Sequence, residues 1–514
     1  MDMRCAGNGR ARRRRWLTIS ISAAIFLAGC DALRPRIALP PAVSDQAVQA
    51  RVLPVVHETP SPQSAADSAP VPVPSPTDGP LRLEEAISFA LQNNPRLREA
   101  AARVESAQAG IDIAFAPFLP EAGTHFRYSG FTLPVLPGGS FVPASLNAGV
   151  TSFTIAEAGV QWTLYDFGRR GGRYGQAVSQ AQIEKLSLDR ARQTVAFEVC
   201  RAYFQYLFAR STLRVREQAL RLAEKVLADT KARREAGTAD REAVLRAEVE
   251  VSQAREDFIA ARQLILDAAS TLNLALGRPT VLPVQVQNVT NRPALAQSLE
   301  EALQQAVTKR PEVGIAREAV AEAAYGEKAA RADLLPRILV RGTVLGVDSN
   351  GPLAGWLAGA GLHIDQPLYD GGRLRAEVRR RRAQVAGAAA ALQSILDNIG
   401  QQVNLAFQAI STHEERIRLG ETAVAQAGEN LRLTLVKYAN GNATPTDVVD
   451  AQTALTRAQT RYYAAVYEYL EGLARLEYAK GGDQRSLLGQ LKQAKTEDAD
   501  EETAPAPRML PPVP

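Results

Sequence analysis

The residue types that most often do chemistry are scattered through this sequence of 514 residues. The four histidines, His57, His125, His363 and His413, lie far apart, and none stands near a cysteine or a pair of carboxylates. A zinc site or a Ser-His-Asp triad needs such partners in one local arrangement. No P-loop or dinucleotide-binding glycine pattern precedes a predicted helix. The sequence therefore predicts no enzyme, no metal site and no cofactor.

Asp447 and Asp450 are the acidic residues whose spacing stands out. They lie three positions apart at the start of a predicted helix, so they are neighbours on its surface. Acids in a first helical turn often serve only to offset the helix dipole. The residues alone leave open whether the pair has this structural role or a functional one.

A second pattern, Leu-Tyr-Asp-x-Gly-Arg, occurs at residues 164–169 and again at 368–373. The residues of interest are Tyr165, Asp166 and Gly168 in the first copy and Tyr369, Asp370 and Gly372 in the second. We expect a strand to end at each tyrosine, the aspartate to cap the next helix and the glycine to allow an abrupt change of direction. Phe167 stands where the second copy has Gly371, so the two joints need not bend alike.

The formal net charge of +5 does not indicate a nucleic-acid partner. Six arginines and a single acid, Asp2, lie in the first 29 residues, and the rest of the chain has equal numbers of basic and acidic residues. A nucleic-acid-binding domain carries its own basic surface, so we predict no such partner.

The first 29 residues have the organisation of a signal peptide. Residues 12–15 are arginines, and residues 16–27 form an apolar stretch too short to span a bilayer. Leu27-Ala28-Gly29-Cys30 follows and resembles the bacterial lipobox, where cleavage occurs before an acylated cysteine. We therefore expect a covalent lipid on Cys30. An ordinary signal peptide followed by a chance cysteine is the alternative.

The remaining chain is predicted to contain a linker, two copies of one unit and a tail. Residues 30–80 and 483–514 are rich in Pro, Ala or acidic residues and lack a hydrophobic period. Between them, residues 81–296 and 297–482 repeat each other, so that Gly237 recurs as Gly441 and Ala247 as Ala451. Extra residues before Leu164 in the first copy predict a surface loop there.

Alternating polar and apolar residues flank this loop in each copy and predict a β-hairpin. Ile338, Val340 and Val344, for example, alternate with Arg341 and Thr343. The alternation suits strands of a membrane barrel with a polar lumen, and it suits half-buried strands of a soluble sandwich as well.

A long helical hairpin is predicted after each pair of strands. Val244, Val251, Phe258, Ile265 and Leu272 recur every seven residues, each followed three positions later by an alanine, and the second copy repeats this pattern. Such heptads predict a closely packed coiled coil. The antiparallel partners are residues 169–234 and 373–439, and 66 residues of helix would be on the order of 100 Å long.

These features together resemble a TolC-type outer-membrane efflux protein, also called an outer membrane factor, of the lipoprotein NodT-type branch. The resemblance covers residues 81–482 and includes Pro-Leu-Tyr-Asp-Gly-Gly at 367–372 and "YANGNATPTDVVDAQTAL" at 438–455. It implies an α+β membrane protein that forms a homotrimer. Each chain would contribute four strands to a twelve-strand outer-membrane β-barrel and long coiled-coil helices to a periplasmic α-barrel.

The resemblance also implies roles for single residues. Asp447 and Asp450 match aspartates that line the closed periplasmic aperture, and Tyr438 matches a tyrosine that ties the closed tip by hydrogen bonds. The chain departs from the family at Ala443, in place of a basic partner, and at Ala243, in place of an acid. The closed state is therefore expected to be held differently. The arginines at 379–382 are interpreted as a solvated or inter-protomer helix face.

The predicted function is a passive exit duct for small molecules such as drugs, located in the cell outer membrane and extending into the periplasm. The expected partners are outer-membrane lipid, a periplasmic adaptor protein and an inner-membrane transporter of the RND type. One alternative is the exit duct of a type I protein-secretion system, which the lipobox disfavours. A periplasmic coiled-coil adaptor or scaffold lipoprotein is another, although it should carry one helical hairpin beside a lipoyl-like domain.

The predicted lipid can be tested by changing Cys30→Ser. Because the serine hydroxyl cannot replace the thiol that is acylated before cleavage, we expect the variant to lose the mass of the lipid. Mass spectrometry of the N-terminal peptide from the membrane fraction measures this directly. A wild-type chain that begins elsewhere and carries no lipid would contradict the prediction.

Overall fold

The structure is a computed structural model that describes residues 79–132, 150–289, 291–295, 297–349 and 355–491. All of these described residues belong to a single structural unit. Cys30, the expected signal peptide, and most of the expected linker and tail lie outside the described residues. Within the described ranges, none of the helices combines the length and the apolar character needed to cross a membrane.

The same order of elements occurs twice along the chain: two short helices, two strands, a very long helix and a last helix. The first set is α1 (Leu83–Asn93), α2 (Pro95–Phe115), β1 (Glu121–Thr132), β2 (Val150–Tyr165), α3 (Arg169–Glu235) and α4 (Arg241–Leu276). The second set is α5 (Leu299–Lys309), α6 (Pro311–Ala332), β3 (Arg337–Ser349), β4 (Gly355–Asp365), α7 (Arg373–Ala439) and α8 (Pro445–Ala479). A short 3-10 helix, Ala116–Phe118, precedes β1.

Local capping chemistry sets where the helices begin. In α5, the hydroxyl of Ser298 accepts from the N–H of Glu301 while the Glu301 carboxylate accepts from the N–H of Ser298, which satisfies two otherwise unpaired donors. In α4, Asp240 accepts from the N–H of Ala243 at 2.8 Å. Proline occupies the first position of α2, α6 and α8, where its missing N–H costs nothing.

The two long hairpins turn at glycines in the left-handed conformation. Gly237 and Gly441 both have φ of 75°, which lets the residue that follows each one donate back to the last helical turn. α3 then packs against α4 and α7 against α8. The predicted heptad positions face these contacts: Val244 and Ala247 are buried in the first hairpin, and Val448 and Ala451 in the second. The long helices contain 67 residues each, about 100 Å by helical rise.

The helices lie side by side in a row. α2 and α4 pack on α3, α3 packs on α6 and α8, and α7 packs on α6 and α8. Shorter helices are stacked end to end: a Cβ added at Gly277, which follows α4, would be 2.9 Å from the Cα of Asn94, which precedes α2. A Cβ added at Gly481, which follows α8, would likewise be 2.9 Å from the Cα of Arg310, which precedes α6. The row therefore alternates one continuous helix with two stacked ones.

A compact core lies at mid-length of the long helices, where α1 and α5 pack. Tyr203 of α3 is fully buried, and its hydroxyl donates to the carbonyls of Leu81 and Gln287 at 3.0 and 2.7 Å. Tyr469 of α8 makes the corresponding bond to the carbonyl of Pro293 at 2.7 Å. These hydroxyls fix the connecting segments to the long helices.

The four strands form one antiparallel sheet in the order β1-β2-β3-β4. Directly paired residues share a face, so the register separates the side chains into two sets. One face carries exposed apolar side chains: Phe126, Val160, Trp162, Val344, Trp356, Leu362 and Ile364. The opposite face carries His125 paired with Glu157, Gln161 paired with Arg341, and Arg337 paired with Asp365.

One predicted strand end is wrong. β2 ends at Tyr165 as expected, whereas β4 ends at Asp365, four residues before Tyr369. Pro367 lacks the N–H that a continuing ladder would need, so the chain leaves the sheet early.

The close approach of α3 and α6 gives a stability prediction. A Cβ at Gly172 would lie 2.8 Å from the Cβ and backbone N of Ala329, whereas one at Gly171 meets nothing within 4 Å. We expect Gly172→Ala to destabilise the protein by about 1–3 kcal/mol because the backbones must separate. The matched change Gly171→Ala should stabilise it by up to about 1 kcal/mol through helix propensity.

Thermal unfolding of detergent-solubilised protein, followed by circular dichroism, measures both variants. Equal shifts of the two midpoints in the same direction would contradict this helix contact.

Candidate functional site at the joints and the helical tip

The first strand-to-helix joint is organised by one carboxylate. Asp166 is buried and accepts from the N–H of Gly168 at 3.3 Å and from the N–H of Arg170 at 2.9 Å. The Nε of Arg170 donates to the same carboxylate at 2.9 Å. Asp166 therefore satisfies the free donors at the start of α3, although it lies two residues before the cap position.

Arg170 also stabilises this joint, through contacts with residues before β1 and near the end of β2. The sequence alone did not identify it. Its guanidinium donates to the carbonyls of Thr163 and Pro117 at 2.8 and 3.2 Å and lies 4.9 Å from the ring centroid of Phe118. The arginine thus connects the end of β2 to the 3-10 helix before β1. The repeated phrase extends only to Arg169, so it gave no signal for this residue.

The second joint has the same backbone conformation but makes fewer side-chain contacts. Asp370 accepts from the N–H of Gly372 at 3.0 Å and from that of Leu374 at 2.8 Å. Leu374 stands where the first joint has Arg170, so no guanidinium closes it. Tyr369 is 92% exposed.

The two joints need not bend alike, because Phe167 replaces Gly371, and yet they have the same backbone conformation. Phe167 has φ of 54° and Gly168 of 95°, and the equivalent Gly371 and Gly372 have φ of 67° and 85°. Both joints therefore contain two consecutive left-handed residues. Phe167 takes this conformation at a steric cost that Gly371 avoids, and its ring packs 4.7 Å from that of Tyr165.

At the opposite end of the long helices, Asp447 has a capping role. Its carboxylate accepts from the N–H and the hydroxyl of Thr444 at 2.7 and 2.8 Å, and its own N–H donates to that hydroxyl. The backbone N–H of Thr444, followed by its hydroxyl, holds the pKa of Asp447 below its usual value, so the group is ionised at neutral pH. Asp450 lies on the exposed surface one turn further along α8.

Tyr438 is buried between the two hairpins of one chain. Its hydroxyl lies 3.3 Å from the Oγ1 of Thr230, and its carbonyl accepts from the Nη2 of Arg233 at 2.8 Å. The Arg233 guanidinium also lies 4.2 Å from the centroid of the tyrosine ring. These contacts connect α7 to α3.

Arg233 therefore supplies a basic partner close to the tip, although Ala443 occupies the position where the family pattern has one. Ala243 offers only its backbone N–H, which donates to Asp240. Arg233 was missed because Tyr438 lies 205 positions further along the chain and no local pattern joins them.

The polar face of the sheet carries paired polar and charged side chains. Arg341 donates to the side-chain oxygen of Gln161 at 2.8 Å, and Arg337 forms an ion pair with Asp365 at 2.8 Å. Across the described ranges, histidine, cysteine and acidic side chains nowhere form a group of three able to hold a metal ion.

A profile of the outer membrane efflux protein family matches residues 86–278 and 302–482. The chain belongs to this family. The outer membrane efflux protein BepC of Brucella suis biovar 1 is 24% identical over 434 residues, which cover 82% of this chain and 91% of that protein. Nodulation protein T of Rhizobium leguminosarum bv. viciae is 24% identical over 80% of this chain and 85% of its own length.

The solved structures agree with the fold of an outer membrane efflux protein. The Campylobacter jejuni CmeC outer membrane channel superposes with a TM-score of 0.69 at 16% identity, over 80% of this chain and 89% of that one. The family profile, together with the similarity to BepC and nodulation protein T, confirms the predicted membership of the TolC and NodT type.

The contact between Tyr438 and Thr230 gives a prediction for this efflux protein. Tyr438→Phe removes one buried hydroxyl, which should cost about 0.5–1.5 kcal/mol and loosen the tip. Hydrogen exchange measured by mass spectrometry should show faster exchange around residues 226–235 and 434–442.

Tyr463→Phe is the matched control, because its hydroxyl makes no hydrogen bond to any other described residue. If both variants exchange at the tip as the wild type does, the hydroxyl does not hold α7 to α3.

Proposed function

We propose that the protein is the outer-membrane exit duct of a tripartite efflux system. It passively exports small molecules, such as drugs, that an inner-membrane transporter delivers through a periplasmic adaptor protein. The observation that carries the proposal is a sheet with one exposed apolar face. Its strands β2 and β4 lead into two helical hairpins about 100 Å long. Family membership supports the same function.

The sheet is suited to lipid on one face and water on the other. Phe126, Trp356, Leu362 and Ile364 expose between 63% and 78% of their surface on the apolar face. Such a face is stable when hydrocarbon covers it, and the face with Arg341 and Glu157 then lines a water-filled lumen.

The sheet edges support assembly from several copies. β1 and β4 are edge strands, with one row of backbone donors and acceptors unpaired within the described sheet. Each such group left unpaired in lipid costs several kcal/mol (order of magnitude), so the edges must pair with other chains. In our proposal, three chains with four strands each form a twelve-strand β-barrel, and their hairpins form a periplasmic α-barrel.

The proposed arrangement also includes a covalent lipid on Cys30, which would hold the chain to the outer membrane. We propose that residues 81–296 and 297–482 are the two repeats, preceded by signal peptide and linker and followed by a tail. The expected inner-membrane transporter is of the RND type.

The two hairpins argue against the adaptor alternative. α3 and α4, and again α7 and α8, each follow a pair of strands of one sheet. An adaptor would place one hairpin beside a lipoyl-like domain. A duct for secreted proteins would share this architecture, and the lipobox favours small molecules.

Extraction and native mass measurement test the proposed duct. We expect a complex that needs detergent and has the mass of three chains. A water-soluble monomer after removal of the lipid would overturn the proposal.

Asp447 and Asp450 are proposed to line the periplasmic aperture. In a trimer they would form two acidic rings, in which three like charges lie close together and attract cations. Tyr438, through Thr230 and Arg233, would hold the closed tip.

The double change Asp447→Asn and Asp450→Asn tests this role. Asparagine keeps the capping acceptor at position 447 and removes both charges. In planar bilayers we expect weaker cation selectivity and a higher single-channel conductance, because the like-charge rings are gone. Glu429→Gln is the control, because Glu429 is also exposed but lies on α7, before the tip, and the change should leave both quantities unchanged. If the aspartate variant conducts and selects as the wild type does, these residues are not part of the gate.

A further inference from the structure

The first turns of α7 carry a concentration of positive charge. Residues 373–382 contain six arginines and a single acid, Glu377. The Glu377 carboxylate accepts from Arg380 and Arg381 at 2.6 and 2.9 Å, so its one charge is shared by these two side chains. The other four arginine side chains are exposed and make no hydrogen bond or ion pair to another described residue: Arg373, Arg375, Arg379 and Arg382.

Three of these arginines form one stripe. Arg375, Arg379 and Arg382 are spaced four and three residues apart, so they lie above one another on one face of α7. By helical rise, Arg375 is about 5 Å and Arg382 about 15 Å along the axis from Gly372 at the joint. Helical side chains tilt toward the N-terminus, which in α7 is the end next to the sheet. The guanidinium groups are therefore directed toward the strands.

The stripe faces away from the lateral neighbours of a long helix. The equivalent helix α3 has α2 packed on one side and α6 on the other. Gly171 and Val178 of α3 stand 204 positions before Arg375 and Arg382. A Cβ at Gly171 would meet nothing within 4 Å, and Val178 is 41% exposed. These positions stay accessible beside two neighbours, and packing does not require arginine at either of them.

The same face of α3 lies on the apolar side of the sheet. Trp162, on the apolar face of β2, donates its indole N–H to the carbonyl of Phe118 at 3.0 Å. The ring centroid of Phe118 is 6.2 Å from that of Tyr174, which lies one turn before Val178. These aromatic side chains continue the apolar face of the sheet onto α3. The repeat places the arginine stripe on the corresponding side of α7.

The second joint therefore presents three kinds of surface in order along the chain. Leu362 and Ile364 of β4 are 63% and 64% exposed on the apolar face. Leu368 and Tyr369 follow, 93% and 92% exposed, and then the arginine stripe begins. Tyrosine is enriched where hydrocarbon meets headgroups, and arginine places its charge among the headgroups. The order matches the hydrocarbon, boundary and phosphate layers of one leaflet.

We propose that the arginine stripe of α7 binds the headgroups of anionic phospholipid in the leaflet next to the helices. The inference rests on the proposed function, in which the sheet spans a membrane, and it adds a ligand class. A headgroup layer is about 5–8 Å deep, so it includes Arg375 and lies in the direction of the Arg379 and Arg382 side chains. Guanidinium groups bind phosphate oxygens in pairs, and a basic cluster at a membrane surface favours anionic lipid.

Lipid retention in native mass spectra tests the proposed site. The full chain, purified in detergent, is titrated with phosphatidylglycerol, which is anionic, or with phosphatidylcholine, which is zwitterionic. We expect tighter binding of phosphatidylglycerol. The triple variant Arg375→Gln, Arg379→Gln and Arg382→Gln should lower its apparent affinity on the order of 100-fold at low salt and leave phosphatidylcholine binding unchanged.

The matched control removes three arginines near the helical tip: Arg234→Gln with Arg457→Gln and Arg461→Gln. These side chains are exposed and make no hydrogen bond or ion pair within the described ranges. The control loses the same charge far from the proposed membrane, so we expect it to bind phosphatidylglycerol as the wild type does. Circular dichroism and the mass of the complex check that both variants fold and assemble.

The remaining outcomes overturn the inference in distinguishable ways. Equal loss of phosphatidylglycerol from both triple variants, or wild-type binding that does not discriminate between the two lipids, excludes a site at the stripe. Displacement of the lipid by excess inorganic phosphate would indicate a site for a free anion instead. A trimer that retains no phosphatidylglycerol overturns the lipid site and leaves the duct standing. A wild-type protein that is a water-soluble monomer overturns both.

Discussion

The lateral contact between long helices determines almost everything else in this protein. Helices of 67 residues extend far beyond the core at their mid-length, so the rest of each helix is stabilised by side-by-side packing. The heptads place an alanine or glycine at alternate seam positions, which brings neighbouring backbones close together. Gly172 and Gly175 extend this close approach to α6. A single added methyl group at such a position must move a whole helix.

The sequence was sufficient to predict most of the helical architecture. The bounds of the predicted hairpin helices, 169–234 and 373–439, differ by at most one residue from those of α3 and α7. The prediction was accurate because glycines mark the helix ends and heptads mark the packed face. The sheet was predicted as well, but β4 ends early since Pro367 cannot donate to the ladder.

What escaped prediction depends on contacts between distant parts of the chain. Arg233 and Tyr438 come into contact only when both hairpins have formed, so no spacing in the sequence predicts this contact. The left-handed conformation of Phe167 escaped for a related reason: tertiary contacts hold an unfavourable backbone that local preference would reject. The sequence identified Asp447 as a candidate residue. The structure shows in addition that its carboxylate accepts from the N–H of Thr444, so any functional role must be compatible with this capping bond.

The stacked helices make the row mechanically uneven. α3 and α7 carry an unbroken hydrogen-bond ladder along their length, whereas the ladder is interrupted between α4 and α2 at Gly277 and between α8 and α6 at Gly481. Resistance to bending at that level rests on two continuous helices and on the tyrosine bonds of the surrounding core. The level of Gly277 and Gly481 is therefore the place along the row where the fewest helices run through without interruption.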